Sequence, residues 1–161
     1  HAMSRRQRQM CIRDSLYRGQ ALTARLEGTR DKMDRAAQEE LDHLSWCNKR
    51  LDELNERPSF LSPLWYGLSF GMGAIAGAAG DKWSLGFVHE TEHQVVIHLE
   101  DHLNKLSASD AKTIAILEQM KLDEANHSEE ALSSGAEILP DGIKSLMSVI
   151  AKVMTKTSYY I

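Results

Sequence analysis

Two short motifs of the form Glu-x-x-His hold the residues best suited to chemistry. The first joins Glu40 to His43, and the second joins Glu124 to His127. Residues three apart lie on the same face of a helix, so each pair can direct a carboxylate and an imidazole at one metal ion. A single copy occurs by chance on any Glu-rich helix. Two copies on separate helices, with further glutamates between them, are the ligand pattern of a carboxylate-bridged di-iron site in a helical bundle.

A third carboxylate strengthens this interpretation. Glu92 shares a helical face with Val88, Val95 and Leu99, where an unpaired carboxylate would be costly. Three carboxylates in one core repel one another unless a cation offsets them. Carboxylate oxygen and imidazole nitrogen suit iron or manganese, whereas zinc usually takes fewer ligands. We therefore expect two iron ions per chain, with the ligands Glu40, His43, Glu92, Glu124 and His127. The alternative is a set of polar residues satisfied at helix interfaces.

The elements that must position these residues are helices. The chain has 161 residues, enough for one domain with a core. It has only three prolines, and good helix formers dominate its composition. We predict a single all-α domain over residues 1–161. The net charge of −4 gives no reason to expect a nucleic-acid partner. The two cysteines form neither a zinc-like spacing nor a disulfide framework, which indicates a reducing compartment.

Hydrophobic periodicity predicts five helices outside the segment described next. Four bundle helices are expected over about 15–26, 30–56, 82–106 and 110–134, and an amphipathic helix over about 143–160. Gly28 and Pro58 are expected to end the first two, and Ser109 to cap the fourth. Residues 1–14 are atypical. We interpret His1 and Ala2 as a tag remnant, and we find no apolar region of a signal peptide.

An uncharged, glycine-rich segment occupies residues 58–80. Three structures fit it: a buried helical hairpin, a segment in the membrane interface, or a true membrane span. Pro63 and the glycines weaken the span, while Trp65 and Tyr66 favour the interface, where amphipathic aromatic side chains settle. The residues expected to contact the membrane or to admit an apolar substrate are Phe60, Leu64, Trp65, Tyr66, Phe70 and Met72.

Five stretches carry a resemblance to a known family. They are residues 16–20 (Leu-Tyr-Arg-Gly-Gln), 39–44 (Glu-Glu-Leu-Asp-His-Leu), 57–65 (Arg-Pro-Ser, then Leu-Ser-Pro-Leu-Trp after Phe60), 90–98 (Glu-Thr-Glu, then Gln-Val and His98) and 123–127 (Asp-Glu-Ala-Asn-His). From Leu16 onward the chain resembles the bacterial demethoxyubiquinone hydroxylases of ubiquinone biosynthesis. This implies a ferritin-like four-helix bundle with an additional hydrophobic membrane-docking helical segment and a C-terminal helix.

The resemblance also implies an activity and its residues. Such a protein binds two irons through the five ligands named above and hydroxylates the ring of a polyprenyl demethoxybenzoquinol with dioxygen. His98 matches a histidine near the site that helps pass electrons or protons. The implied location is peripheral, on the cytoplasmic face of the inner membrane. The implied partners are the quinol, the membrane surface, and either further copies of the chain or a lipid-binding protein of the same biosynthesis.

One departure from the family's pattern bears on activity. The family opens its first bundle helix with His-x-Gly-Glu, whose glutamate is an iron ligand. Counting back from Leu16, this sequence has Met10 at that position, and Cys11 to Ser15 also fail to match. Thioether sulfur is a poor ligand for hard iron. We therefore expect an incomplete site, with one iron position weakened and activity low or absent.

Two other functions compete with the hydroxylase. One is a different ferritin-like di-iron activity, such as peroxide reduction or iron handling. The uncharged segment argues against it, because a soluble peroxidase has no use for a lipid-docking surface. The other is a non-catalytic, membrane-associated scaffold whose metal site is vestigial.

Overall fold

Six α-helices make up the described part of the chain. The computed structural model describes residues 2–56 and 61–160, with the side chains of 13–56, 61–154, 156 and 157. The helices are α1 (Ala2–Thr23), α2 (Glu27–Glu53), α3 (Ser62–Ala78), α4 (Asp81–Leu103), α5 (Ala111–Ser133) and α6 (Asp141–Tyr160). The all-α prediction is confirmed.

Helices α1, α2, α4 and α5 form the bundle, as expected for a ferritin-like fold. Helix α3 packs mainly on α1, and α6 lies against α1 and α4. Helices α2 and α5 run antiparallel. Lys32 meets Glu130 at one end (2.8 Å), and Arg50 meets Asp110 at the other (2.9 Å). The two Glu-x-x-His motifs therefore face each other near the middle of this pair.

The core consists of two apolar clusters with a polar layer between them. One cluster is formed by Cys47, Leu51, Val95, Leu99, Leu117 and Met120. The other is formed by Tyr17, Ala21, Met33, Ala37, Leu85, Val88 and Ala131. Along α2, α4 and α5, the predicted ligands fall between the residues of one cluster and those of the other. The bundle thus encloses its polar groups between two layers of packed side chains.

Helix α1 differs from its prediction at both ends. It begins at Ala2, so the atypical stretch before Leu16 is helical; His1 lies outside the described residues. It ends at Thr23, three residues before the predicted end, and Leu22 and Leu26 are exposed. The carboxylate of Asp81 accepts hydrogen bonds from the backbone N–H groups of residues 25 and 26 (3.0 and 2.8 Å). A distant acid therefore stabilises the turn.

Three predicted helix boundaries also move. Gly28 lies inside α2 and does not end α1. Helix α2 ends at Glu53, followed by Asn55 with φ 55°, whereas Pro58 lies outside the described residues. The cap of α5 is Asp110 instead of Ser109, because the Asp110 carboxylate accepts the backbone N–H of Thr113 (3.1 Å).

The uncharged segment forms α3, which packs closely on α1. Its 17 residues begin with Pro63 in the first turn, where the missing N–H leaves no bond unmade. A Cβ atom on Gly73 would lie 2.0 Å from the backbone oxygen of Leu16, and one on Gly19 would lie 2.2 Å from that of Phe70. Glycine at these positions allows the two backbones to touch. Within the described ranges, no helix has the length and apolar character needed to cross a membrane.

Replacing Gly73 with alanine tests this close approach. The new methyl group would overlap the Leu16 carbonyl and force α1 and α3 apart, so we expect Gly73→Ala to lower the free energy of unfolding by about 2–3 kcal/mol. Gly71→Ala on the same helix is the matched control. A Cβ atom at Gly71 has nothing within 4 Å, so this change should add about 0.5–1 kcal/mol through helix propensity. Denaturant unfolding measures both, and equal effects would contradict the packing.

Candidate metal centre and adjoining cavity

The structure brings the five predicted ligands together in the polar layer of the bundle. Glu40 and His43 come from α2, Glu92 from α4, and Glu124 and His127 from α5. The three carboxylate side chains are fully buried. Ligand atoms of Glu40, Glu124 and His127 all lie within 4.8 Å of one another. Nδ1 of His43 lies 3.5 Å from Oε1 of Glu124, and Nδ1 of His127 lies 3.5 Å from Oε2 of that residue. Glu124 therefore lies between the two imidazoles.

Each histidine is oriented by an acid outside the cluster. Nε2 of His43 lies 2.9 Å from the carboxylate of Asp123, and Nε2 of His127 lies 2.5 Å from that of Glu39. Both Nδ1 atoms consequently face inward. A histidine that ligates a metal is held in this way, with its other ring nitrogen bonded to a carboxylate. In the sequence, the signal for this arrangement is the acid directly before each motif glutamate, Glu39 in the first motif and Asp123 in the second.

Arg13 is the functional residue that sequence reasoning missed. It reaches the cluster from α1 with its side chain almost fully buried. Its Nη1 lies 2.7 Å from Oε2 of Glu92, and its Nη2 lies 2.5 Å from Oε1 of Glu124 and 2.9 Å from Oε2 of Glu40. One guanidinium thus contacts all three buried carboxylates. Burial alone would lower the pKa of Arg13, but the charges of Glu124, Glu40 and Glu92 outweigh it and raise the pKa well above its usual value.

His43 and His127 are positively charged at neutral pH when no metal is bound, because both pKa values are raised. Burial alone would lower the pKa of His43, but the nearby carboxylates of Glu124 and Glu40 outweigh burial and raise the pKa to about 10. The pKa of His127 rises to about 9, because Glu124, Glu92 and Glu39 outweigh the same effect of burial. Burial would raise the pKa of Glu124, but Arg13 and the two histidines hold it well below its usual range.

The residues fit one metal ion at the end of the cluster near His127. Oε1 of Glu40, Oε2 of Glu124 and Nδ1 of His127 are buried and have no hydrogen-bond partner in the described part of the chain. Buried polar atoms are rarely left in this state, because the loss of hydration is costly. A divalent cation would satisfy all three, and this donor set suits iron or manganese.

The residues do not fit a second ion at Glu92. Its Oε2 accepts a hydrogen bond from Arg13 (2.7 Å), and its Oε1 accepts one from the Tyr17 hydroxyl. Both oxygens are therefore engaged by protein donors. Met10 lies on the backbone of α1, but its side chain is outside the described residues, so the expected effect of the missing glutamate stays a prediction.

An apolar cavity of about 320 Å³ adjoins the cluster. Arg13 lies in its lining, together with side chains of α3, α4 and α6. The other polar residues of the lining are Ser69, Thr91, Gln94 and His98. His98, which the sequence singled out, therefore shares a cavity with Arg13, while its role in proton or electron transfer stays a prediction.

The six residues expected to admit substrate fall in different places. Met72 lines the cavity. Leu64 and Tyr66 are exposed, Trp65 and Phe70 are half-buried, and none of these four is among the described residues of the lining. Phe60 lies outside the described residues. The part of α3 that lines the cavity is thus mainly its second half, of which the prediction included Met72 but not Ile75 or Ala76.

Comparison with known proteins gives consistent matches over most of the chain. The profile of the family described as ubiquinone biosynthesis protein COQ7 matches residues 13–158. The chain is 58% identical to a 3-demethoxyubiquinol 3-hydroxylase of Acinetobacter baumannii over 147 aligned residues. The alignment covers 91% of this chain and 70% of that protein. Proteins of the same name from Nitrosococcus oceani and Pseudomonas putida are 59% and 54% identical over 147 residues, covering 91% of this chain and 69% and 68% of theirs.

The raised histidine pKa values predict that the metal-free protein loses stability in mild alkali. An ordinary histidine loses its proton near pH 6.5 in the unfolded chain, while His43 and His127 keep theirs to about 10 and about 9. Their stabilising contribution is complete below about pH 6.5 and is lost as the pH rises to those values. Each should lower the free energy of unfolding by up to about 1.4 kcal/mol per pH unit in this window.

Denaturant unfolding in EDTA between pH 6.5 and 9.5 measures this slope. His43→Gln should make it shallower. His93→Gln, which replaces an exposed histidine of α4, is the control and should leave it unchanged. A stability that stays constant or rises over this range would contradict the assignment of charge.

Proposed function

Because this chain belongs to the COQ7 family of ubiquinone biosynthesis proteins, we propose that it binds a polyprenyl demethoxybenzoquinol and presents its ring for hydroxylation by dioxygen. This is the activity of 3-demethoxyubiquinol 3-hydroxylases, the name carried by relatives 54–59% identical to the chain. The observation that supports the proposal most is the apolar cavity, which adjoins the buried carboxylate cluster through Arg13. An iron-handling protein has no use for such a cavity.

The cavity is apolar with a few polar side chains in its lining, which is the polarity that a prenylated ring requires. Ile75 of α3 and Leu146 of α6 both line it and are 73% and 55% exposed, so they mark its opening to the surface. Inside, Met72, Phe87 and Ile150 offer an apolar wall for the prenyl tail. Ligand pockets are typically apolar with a few placed polar groups. We propose that the quinol ring binds at the inner end, beside the carboxylate cluster, because Arg13 of that cluster lies in the cavity lining.

Polar side chains of α4 would orient the ring. Thr91, Gln94 and His98 lie along the cavity wall and can hydrogen-bond the oxygen atoms of a quinol. The Gln94 amide donates to Glu90 Oε1 (2.8 Å) and to the backbone oxygen of Lys144 (3.4 Å), which fixes its position. We assign His98 to holding or accepting a proton of a ring hydroxyl, since it lies in the cavity wall and its ring nitrogens can donate or accept a hydrogen bond.

Iron is the metal that we propose for the centre. Held by Glu40, Glu124 and His127, it would supply the chemistry that activates dioxygen, and an external reductant would supply the two electrons that reduce the second oxygen atom to water. The chain's own contribution is then to exclude water through the two apolar clusters and to hold the ring nearby. Because the residues fit one ion, and because Met10 replaces the expected glutamate, we propose that turnover is low.

Filling the cavity tests the substrate site. Ala76 is buried and lines the cavity, so Ala76→Phe should weaken binding of a demethoxyquinol analogue with a short prenyl tail at least about tenfold. Ala78→Phe lies on the same helix at an exposed position outside the lining and is the control. Quenching of tryptophan fluorescence measures binding, since Trp83 lines the cavity. Mass spectrometry detects the oxygen added when iron, reductant and dioxygen are supplied.

The control should bind like the unmodified protein, with thermal melts checking that both variants fold. Equal binding by Ala76→Phe and Ala78→Phe would contradict a quinol site in this cavity. Binding without any added oxygen, even with excess iron, would favour the non-catalytic scaffold.

We propose that the protein lies peripherally on the cytoplasmic face of the inner membrane, with the cavity opening toward lipid. What supports this is an exposed apolar surface on the two helices that flank the opening. It consists of Leu64, Leu68, Ile75, Leu146, Val149 and Val153, which are 51–73% exposed. Amphipathic helices bind membranes through such surfaces. A further copy of the chain, or a lipid-binding partner, would cover the same residues.

Charge on this surface should prevent membrane binding. The double substitution Leu146→Glu and Val149→Glu places two charges on α6, and we expect it to abolish co-sedimentation with vesicles of bacterial polar lipids. Leu122→Glu on α5 changes an equally exposed leucine (57%) away from this surface and is the control. Co-sedimentation of the double variant at the unmodified level would contradict the proposal. Light scattering on the same samples reports self-association.

A further inference from the structure

We propose that the Arg13 guanidinium occupies the place of one of the two cations expected in the bundle, so that this chain binds one divalent ion instead of two. The proposal concerns metal stoichiometry, and it does not require hydroxylase activity. It differs from the expected effect of Met10, which concerns a missing ligand. Arg13 instead supplies a permanent positive charge inside the cluster.

Arg13 lies where a metal ion bound to Glu40 and Glu124 would otherwise lie. Its Nη2 lies 2.5 Å from Oε1 of Glu124 and 2.9 Å from Oε2 of Glu40. A metal ion lies about 2.0–2.2 Å from its carboxylate ligands. An ion bound to the same two oxygens on the side of the guanidinium would therefore overlap Nη2. The two cannot share this position.

Glu92 already has a protein donor on each of its oxygens. It is the carboxylate of α4 in the cluster and is fully buried. Its two oxygens accept hydrogen bonds from Arg13 and Tyr17, so a metal ion there would have to displace both donors. A second divalent cation would also lie beside a buried guanidinium, where the repulsion is poorly screened. The end of the cluster near Glu92 is thus satisfied by the protein itself.

The remaining end of the cluster is left for one ion. Oε2 of Glu124 and Nδ1 of His127 have no hydrogen-bond partner in the described part of the chain, and Glu40 offers an atom within 4.8 Å of the others. A surface cleft of about 80 Å³ is lined by His127, Glu39 and Glu130. This cleft gives an ion a route to His127 that is separate from the apolar cavity.

Metal counting tests the proposal directly. The full chain, stripped of metal and titrated with Fe²⁺ without oxygen, should retain about one ion per chain after desalting. Arg13→Ala should retain about two, because Glu92 and the nearby oxygens of Glu40 and Glu124 are released to bind. Arg13→Lys keeps a positive charge and should retain about one. Arg18→Ala, on the same helix with a half-exposed side chain, is the control and should also retain about one.

Thermal melts and diffraction give readouts that are independent of activity. Metal-free Arg13→Ala should melt about 10 °C lower than the unmodified protein, because it leaves buried carboxylates without their cation. Added Fe²⁺ should recover this loss. Anomalous diffraction at the iron edge should show one peak beside His127 and none between Arg13 and Glu92. Should Arg13→Ala fail to fold, diffraction from the unmodified chain still decides the matter, because it shows whether the Arg13 guanidinium or an ion lies between Glu92 and Glu124. Two tightly held ions in the unmodified chain, or none, would overturn the proposal, and so would a folded Arg13→Ala that still retains only one.

Discussion

The contact between Arg13 and three buried carboxylates is the interaction on which the interior of this bundle depends. It joins side chains from four helices, α1, α2, α4 and α5, within 2.5–2.9 Å. Removing one partner of a buried ion pair typically costs about 3–5 kcal/mol, because the other charge is left uncompensated. Apolar clusters on both sides exclude water and reinforce the attraction. The polar layer therefore holds the helices together while remaining the site of chemistry.

The depth to which Arg13 reaches is set by how α1 packs on α3. Contact between the two backbones at Gly19 and Gly73 leaves no room for side chains, so α1 is fixed against a helix that also forms the cavity wall. Arg13 consequently belongs to both the cluster and the cavity lining. A ring entering from the apolar opening would meet a permanent positive charge at the inner end, which favours electron-rich oxygen atoms there. The packing of Gly19 and Gly73 thus positions the charge of Arg13 that a ligand in the cavity would meet.

The sequence predicted those parts of the structure that depend on local periodicity. The spacing of Glu40 and His43, and of Glu124 and His127, places each pair on one helical face whatever the rest of the fold, and Glu92 stood out inside an apolar stripe. Arg13 could not be predicted in this way. It lies in a stretch without an amphipathic pattern, and arginine side chains are rarely buried in proteins. The turn after α1 was missed because it depends on Asp81, which is distant in sequence.

The crossed pairing of the outer acids has a consequence for how the two motifs can vary. Asp123, which precedes the α5 motif, holds the histidine of α2, and Glu39, which precedes the α2 motif, holds the histidine of α5. Neither motif is complete within its own helix. A shift of α2 along α5 by a single turn would break both histidine–carboxylate pairs at once. The two pairs therefore fix the register of α2 against α5. The two halves of the centre thus depend on each other, because loss of Glu39 or Asp123 from one helix releases the histidine of the other.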